Sequence, residues 1–300
     1  MKRYKLLLLF TIITSAVFAQ DDYIIIYAND SIRDIYEKAM KDRNIFRPKH
    51  IEITEEDAVK MADKFPAFAV YRDTYFVTGV PLNREITNTS ADATFQISFR
   101  QRLTKSVLPF NTFLYLTYTQ KSFWDIYAES SPFRDTNYNP GLGLGKSIIY
   151  NGKLVGGAFV QFKHESNGRD GDDSRSWNYL SLSGKYYLNP RFNVAGEFWI
   201  PYIDSKNNKN LLDYRGIGYL SVNYISNKHK WWLSAEINPR KGWGNVNTVA
   251  SAGYRISEKL NQYIFARFHN GFGESLLDYD KYTMNIRVGI CIKPDFFSIY

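Results

Sequence analysis

The feature that most limits what this chain can become is an alternation of apolar and polar residues in separate short segments. Phe95, Ile97 and Phe99 alternate with Thr94, Gln96, Ser98 and Arg100. Trp231, Leu233, Ala235 and Ile237 alternate with Trp232, Ser234, Glu236 and Asn238. Tyr282, Met284, Ile286, Val288, Ile290 and Ile292 alternate with Thr283, Asn285, Arg287, Gly289 and Cys291. Period two belongs to strands, whose successive side chains point to opposite faces. Strands are expected near 72–79, 93–103, 110–121, 141–150, 154–166, 177–187, 191–200, 215–225, 231–238, 247–255, 261–269 and 282–292. That is an even number, and each is about as long as a tilted strand crossing a bilayer. Short turns such as Asn189-Pro190 alternate with longer loops at 122–139, 167–176 and 201–214, as they do in transmembrane barrels. Aromatic residues make up 17% of the chain, with 23 Tyr. An antiparallel transmembrane β-barrel fits, and so does a soluble periplasmic β-sandwich, since either has one apolar and one polar face.

The N-terminus reads as an export signal. Met1-Lys2-Arg3-Tyr4-Lys5 is basic, Leu6 to Ile13 is apolar, and Val17-Phe18-Ala19 supplies small residues for cleavage after Ala19. The apolar core is too short to span a membrane, and no later segment approaches the roughly 20 apolar residues a spanning helix needs. The lone cysteine, Cys291, excludes an internal disulfide and a lipoprotein cysteine at the cleavage site. Removing the leader lowers the formal charge from +8 to about +5, a mild excess that could favour an anionic lipid surface. An exported chain without a basic motif is not expected to bind nucleic acid. Residues 20–66 form an N-terminal extension with two expected helices, one over Asp30–Met40 and one from Thr54 to Ala62. Asn44 to Glu52 would link them. Thr54 is placed to cap the second, with acidic residues in its first turn. The extension suits a periplasmic appendage, a plug or an inert arm. Residues 67–300 form the barrel domain.

One stretch carries chemistry. Gly157 to Phe162 reads as a strand that continues through Lys163-His164-Glu165-Ser166. His164 and Ser166 then share a face, about 6.5–7 Å apart at Cα. Asn167-Gly168 breaks the strand, and Asp170-Gly171-Asp172-Asp173 is a polar loop. Trp177 to Tyr187 reads as the returning strand, which brings Asn178 beside His164. The Asn178 amide oxygen could then accept the imidazole N–H and fix its tautomer, the third member that a hydroxyl–imidazole pair needs. His50, His229 and His269 lack such partners and are expected to be structural or exposed.

The run His164-Glu165-Ser166-Asn167-Gly168-Arg169, followed by Ser174-Arg175-Ser176-Trp177-Asn178, strongly resembles the signature of outer membrane phospholipase A. Tyr118 to Trp124, Glu129 to Tyr138 and Gly271 to Tyr279 resemble further blocks of that family, in the same order. The resemblance runs from about Phe68 to the C-terminus. It implies a twelve-stranded outer-membrane barrel with a Ser–His–Asn triad on its outer face. Ser166 would be the nucleophile, His164 the general base and acid, and Asn178 the residue that orients the ring. It also implies calcium, held by the Arg169 carbonyl, the Ser174 hydroxyl and Ser130 of the partner subunit, and activity as a homodimer. Calcium and nearby backbone amides would meet the oxyanion. Gln120 resembles a polar residue of the dimer interface. The substrates would be phospholipids and lysophospholipids, cut at the sn-1 or sn-2 ester, with the site facing the outer leaflet. Gly171 stands where the family usually has an acidic residue, so Asp172 or Asp173 is expected to compensate. The alternative is a barrel without enzymatic activity, a small pore or a surface interaction protein. In it, Arg100, Glu236, Arg267 and Arg287 would pair inside the lumen.

Overall fold

The computed structural model describes residues 22–25, 49–52, 54–64, 66–104, 107–203, 206–257, 260–296 and 298. The expected leader and the expected helix at Asp30–Met40 lie outside the described residues. Two short strands come first, β1 (Asp22–Ile25) and β2 (Lys49–Glu52), paired in parallel. Helix α1 (Glu55–Lys64) and strand β3 (Phe68–Val70) follow. The remaining strands are β4 (Thr74–Pro81), β5 (Asp92–Arg102), β6 (Phe113–Trp124), β7 (Phe133–Tyr150), β8 (Lys153–Ser166), β9 (Ser176–Asn189), β10 (Phe192–Tyr202), β11 (Gly218–Ile225), β12 (Trp231–Pro239), β13 (Val246–Arg255), β14 (Gln262–Gly271) and β15 (Thr283–Ile292). Helix α2 (Leu211–Arg215) lies between β10 and β11.

Strands β4 to β15 pair antiparallel with their sequence neighbours, and β15 returns to β4 with Ile290 opposite Phe76. The sheet closes on itself, which removes its edges. This is a twelve-stranded barrel and not a two-sheet sandwich. Its outer face carries exposed apolar residues such as Ile97, Val160, Phe162, Leu182, Leu233 and Ile290. Its inner face is buried and mixes aromatic clusters, such as Tyr75 with Val77 and Phe265, with a polar network. Lys163 Nζ lies 2.8 Å from Glu197 Oε1 and donates to the Tyr71 hydroxyl at 3.0 Å. Arg72 and Ser181 reach the same carboxylate, each at 2.5 Å. Nearer the long-loop end, Arg287 bridges Asp92 at 2.6 Å and Glu274 at 2.7 Å. Of the expected lumen pairs, Arg267 and Arg287 meet Glu274 rather than Glu236, and Arg100 lies over the Tyr115 ring.

Strand β7 begins at Phe133, eight residues before the expected start at 141. The reason is that Asp135 and Asn137 point into a polar lumen and are used there. Asn137 Oδ1 accepts the Leu276 N–H and Asp135 Oδ2 the Leu277 N–H, both at 3.0 Å. Polar residues that read as loop are strand residues with buried acceptors. These bonds pull the 272–282 loop into the barrel mouth, where Leu276 and Tyr279 pack with Leu211 on Trp177, Tyr179 and Trp199. At the opposite, short-turn end, Phe296 packs on Trp232, with ring centroids 5.1 Å apart. Lys185 and Tyr187 donate to the Ser298 carbonyl at 2.7 and 3.0 Å. A polar chamber of ≈ 370 Å³ remains within the barrel.

Thr54 caps α1 as expected, its hydroxyl accepting the Asp57 N–H at 3.0 Å. Val59 packs on Phe113, Tyr115 and Phe159. The expected linker ends in a strand instead, because Lys49–Glu52 adds to the start of β8, with Ile51 opposite Leu154.

Candidate active site

The site follows from strand parity. On β8, Gln161, Lys163 and Glu165 are buried inward, so Phe162, His164 and Ser166 face outward. On β9, Trp177, Tyr179 and Ser181 point inward and Asn178 and Leu180 outward. The register sets Asn178 opposite His164 and Ser176 opposite Ser166. His164 Nδ1 and Asn178 Oδ1 are 2.9 Å apart. An amide oxygen only accepts, so Nδ1 carries the hydrogen, and in the neutral ring that leaves the lone pair on Nε2. Ser166 ends β8 and lies on the same face as the ring, though no hydrogen bond joins them. Such contacts are often loose before substrate arrives.

Four further features stiffen this hairpin. Gly168 turns the chain at φ +66°, a conformation that favours glycine, and a Cβ there would meet the Tyr138 ring at 3.1 Å, so that ring would have to shift slightly. Asn167 is buried and spans the loop, donating to the Asp173 carbonyl at 2.8 Å and accepting the Arg175 N–H at 3.0 Å. On the lumen side, Glu165 accepts the Trp177 indole N–H at 3.0 Å and pairs with Arg215 at 2.9 Å. Asn208 braces the start of β9, accepting the Ser176 N–H at 3.2 Å and donating to its carbonyl at 3.0 Å. Sequence reasoning missed the parts played by Asn167, Glu165 and Asn208. Parity alone would have found Glu165, which faces inward beside the outward pair.

The expected calcium ligands divide between two loops. Arg169 and Ser174 lie in the loop between β8 and β9, and Ser130 lies in the 125–132 loop with φ +60°. Among the described residues the Arg169 carbonyl, the Ser174 hydroxyl and the Ser130 hydroxyl make no hydrogen bond. Neutral oxygens of this kind suit a hard cation. No three His, Cys, Asp or Glu side chains among the described residues converge as a metal cage. Asp173 is engaged by Arg169 at 3.2 Å, and Asp172 is exposed. Gln120 faces outward on β6 and accepts the Tyr118 hydroxyl at 3.0 Å. His269 is buried inward on β14. His229 sits in the turn between β11 and β12, where burial and Arg255 push its imidazole down to about 4.

A family model for phospholipase A1 matches residues 68–292. The chain is 32% identical over 206 residues to phospholipase A1 of Proteus vulgaris, spanning 67% of this chain and 70% of that protein. It is 31% identical over 208 residues to phospholipase A1 of Escherichia coli K12, with the same coverage of 67% and 70%. Among solved structures it is similar to outer membrane phospholipase A from Escherichia coli. The TM-score is 0.68 at 27% identity, over 77% of this chain and 100% of that one. It is also similar to the Salmonella typhi outer membrane phospholipase, a dimer with bound calcium. There the TM-score is 0.67 at 26% identity, over 77% of this chain and 92% of that one. A closed barrel with an apolar belt and these relatives has one reading: the chain belongs to the phospholipase A1 family, ester hydrolases built into an outer-membrane barrel.

Proposed function

We propose that this outer-membrane phospholipase hydrolyses the sn-1 and sn-2 acyl esters of phospholipids and lysophospholipids with Ser166, His164 and Asn178, in a calcium-supported homodimer. The observation that carries the reading is the 2.9 Å contact between the His164 ring and Asn178 on the outward wall, beside Ser166. Ser166 Oγ attacks the ester carbonyl and passes its proton to His164 Nε2. The tetrahedral adduct collapses to an acyl-serine, and His164 returns the proton to the departing lysolipid oxygen. Water then repeats the cycle, with His164 taking one of its protons, and frees the fatty acid and Ser166. Asn178 holds the ring throughout and accepts from Nδ1–H. Being neutral, it stabilises the imidazolium less than a carboxylate would. Gly168 N–H, which donates to nothing else among the described residues, is available to the developing oxyanion.

Calcium, when bound by the Arg169 carbonyl, the Ser174 hydroxyl and Ser130 of the partner subunit, would stabilise negative charge on that oxygen. The Salmonella typhi relative's calcium and dimeric state support this part of the reading. Phe162 and Leu180, exposed beside the site, make a surface on which an acyl chain can lie. Residues 67–300 are then the catalytic barrel, and residues 20–66 an accessory arm on its periplasmic side.

The test is fatty-acid release from mixed micelles by the detergent-folded protein, with calcium or a chelator, beside Ser166→Ala. Calcium-dependent release that the substitution abolishes is the expected result. Release that persists in Ser166→Ala would sink the assignment of the nucleophile.

A further inference from the structure

The ladder between β7 and β8 has a gap opposite His164. Paired residues run Tyr138↔Ser166 and then Gly141↔Lys163, so the two positions between them are skipped. The same register sets Pro140 against His164. Proline has no backbone N–H, so the His164 carbonyl loses the donor that any other residue at 140 would supply. The vacancy is filled from the next residue. Asn139, on the lumen face of β7, donates through Nδ2 to the His164 carbonyl at 2.8 Å. A carbonyl only accepts, so the atom facing it is the amide nitrogen. The same nitrogen donates to the Tyr179 hydroxyl at 2.9 Å. Tyr179 is buried, stacks on Trp177 at 4.0 Å, and adjoins Asn178 in the chain.

From this geometry we propose that Asn139 is a positioning residue for His164. It replaces a missing main-chain donor and ties three strands together behind the reacting face. One N–H holds the backbone of the base, and the other holds the residue next to the one that orients it. The inference rests on the reading of His164 as the general base. Asn139 touches neither the ring nor the substrate, so it acts only through where the His164 backbone sits. Removing it frees the carbonyl at the one point where the ladder cannot hold it. The ring then drifts relative to both Ser166 and Asn178.

The experiment compares kcat and KM in mixed micelles for the full-length, folded protein and the variants Asn139→Ala, Pro140→Ala, the Asn139→Ala/Pro140→Ala pair and Ser166→Ala. Loss of one well-formed hydrogen bond behind the base is expected to lower kcat in Asn139→Ala by about tenfold, with KM within about twofold. Pro140→Ala restores a backbone donor opposite His164. Alone it should be near the parent, and in the pair it should recover most of the lost kcat. A side chain that only stabilised the barrel would lower stability without a kcat loss that a donor at 140 repairs. If Asn139→Ala does not fold, Asn139→Asp, nearly isosteric and without the donor when ionised, takes its place with the same expectation. Parent-like kcat in Asn139→Ala, or a double variant as slow as the single one, overturns the proposal while Ser166→Ala is inactive. Persistent hydrolysis by Ser166→Ala overturns the functional reading, and this inference with it.

Discussion

Asn178→Ala tests how much the amide contributes. The substitution removes the acceptor 2.9 Å from His164 Nδ1 and leaves Ser166, the Nε2 lone pair and the strand register in place. With a neutral ring the lost bond joins neutral groups and is worth about 1 kcal/mol, and once the ring is charged it is worth about 1.5–3 kcal/mol. Only the difference, roughly 0.5–2 kcal/mol, slows the reaction, a factor of about 2 to 30. A ring released from Asn178 also spreads over up to three staggered wells, which costs about threefold more. The expected loss in kcat is thus between about sixfold and about ninetyfold, with KM little changed. Asn178→Asp, which keeps an acceptor, should lie between Ala and the parent or above. The assay is initial-rate fatty-acid release at saturating calcium, with heat-modified gel migration to verify folding. Parent-like kcat would mean the ring is held elsewhere. A loss as complete as in Ser166→Ala would mean the amide does more than orient.

Three further outcomes follow from the lumen and the loops. Glu197→Gln strands Lys163 as an uncompensated buried cation and takes the carboxylate from the partly exposed Arg72, and should cost about 3–5 kcal/mol in denaturant unfolding from detergent; an unchanged midpoint would contradict the buried network. Burial alone would raise the Glu274 carboxyl, but the Arg287 charge, helped by His269, Lys121 and Arg267, holds it well below the usual range. Its stabilisation is therefore complete above the unfolded-chain value near 4.5 and is lost as pH falls toward the folded value. Glu274→Gln should lower the melting temperature at pH 7, and the gap from the parent should narrow below about pH 4; a gap that widens on acidification would reverse the sign. Ser174→Ala should raise the calcium concentration for half-maximal activity several-fold, since one of a few neutral oxygens is lost; an unchanged calcium titration would remove Ser174 from the ligand set.

Much of this molecule is legible in side-chain alternation. An outward apolar and inward polar period of two is a property of each strand by itself, so the twelve strands and the shared face of His164 and Ser166 could be read locally. The same parity, with the turn at Asn167-Gly168, sets Asn178 against His164. What stayed hidden depends on partners far along the chain. Asp135 and Asn137 look like loop until their acceptors meet the Leu276 and Leu277 amides, about 140 residues away. The arginines meet Glu274 rather than Glu236 because a loop delivers that carboxylate, while Asp92 comes from the start of β5. Asn139 could not be singled out without knowing that Pro140 falls opposite His164.

The side chains seated at the two ends of the barrel bear on how such an enzyme can harm the cell that makes it. With Leu276 and Tyr279 seated at one end and Phe296 at the other, side chains narrow the lumen of a catalytically dead copy to a polar chamber of ≈ 370 Å³. Overproduced Ser166→Ala protein should therefore leave the envelope tight to small antibiotics. Any leakiness caused by the active form would arise from lysolipids it releases into the surrounding leaflet, not from a hole through its own middle.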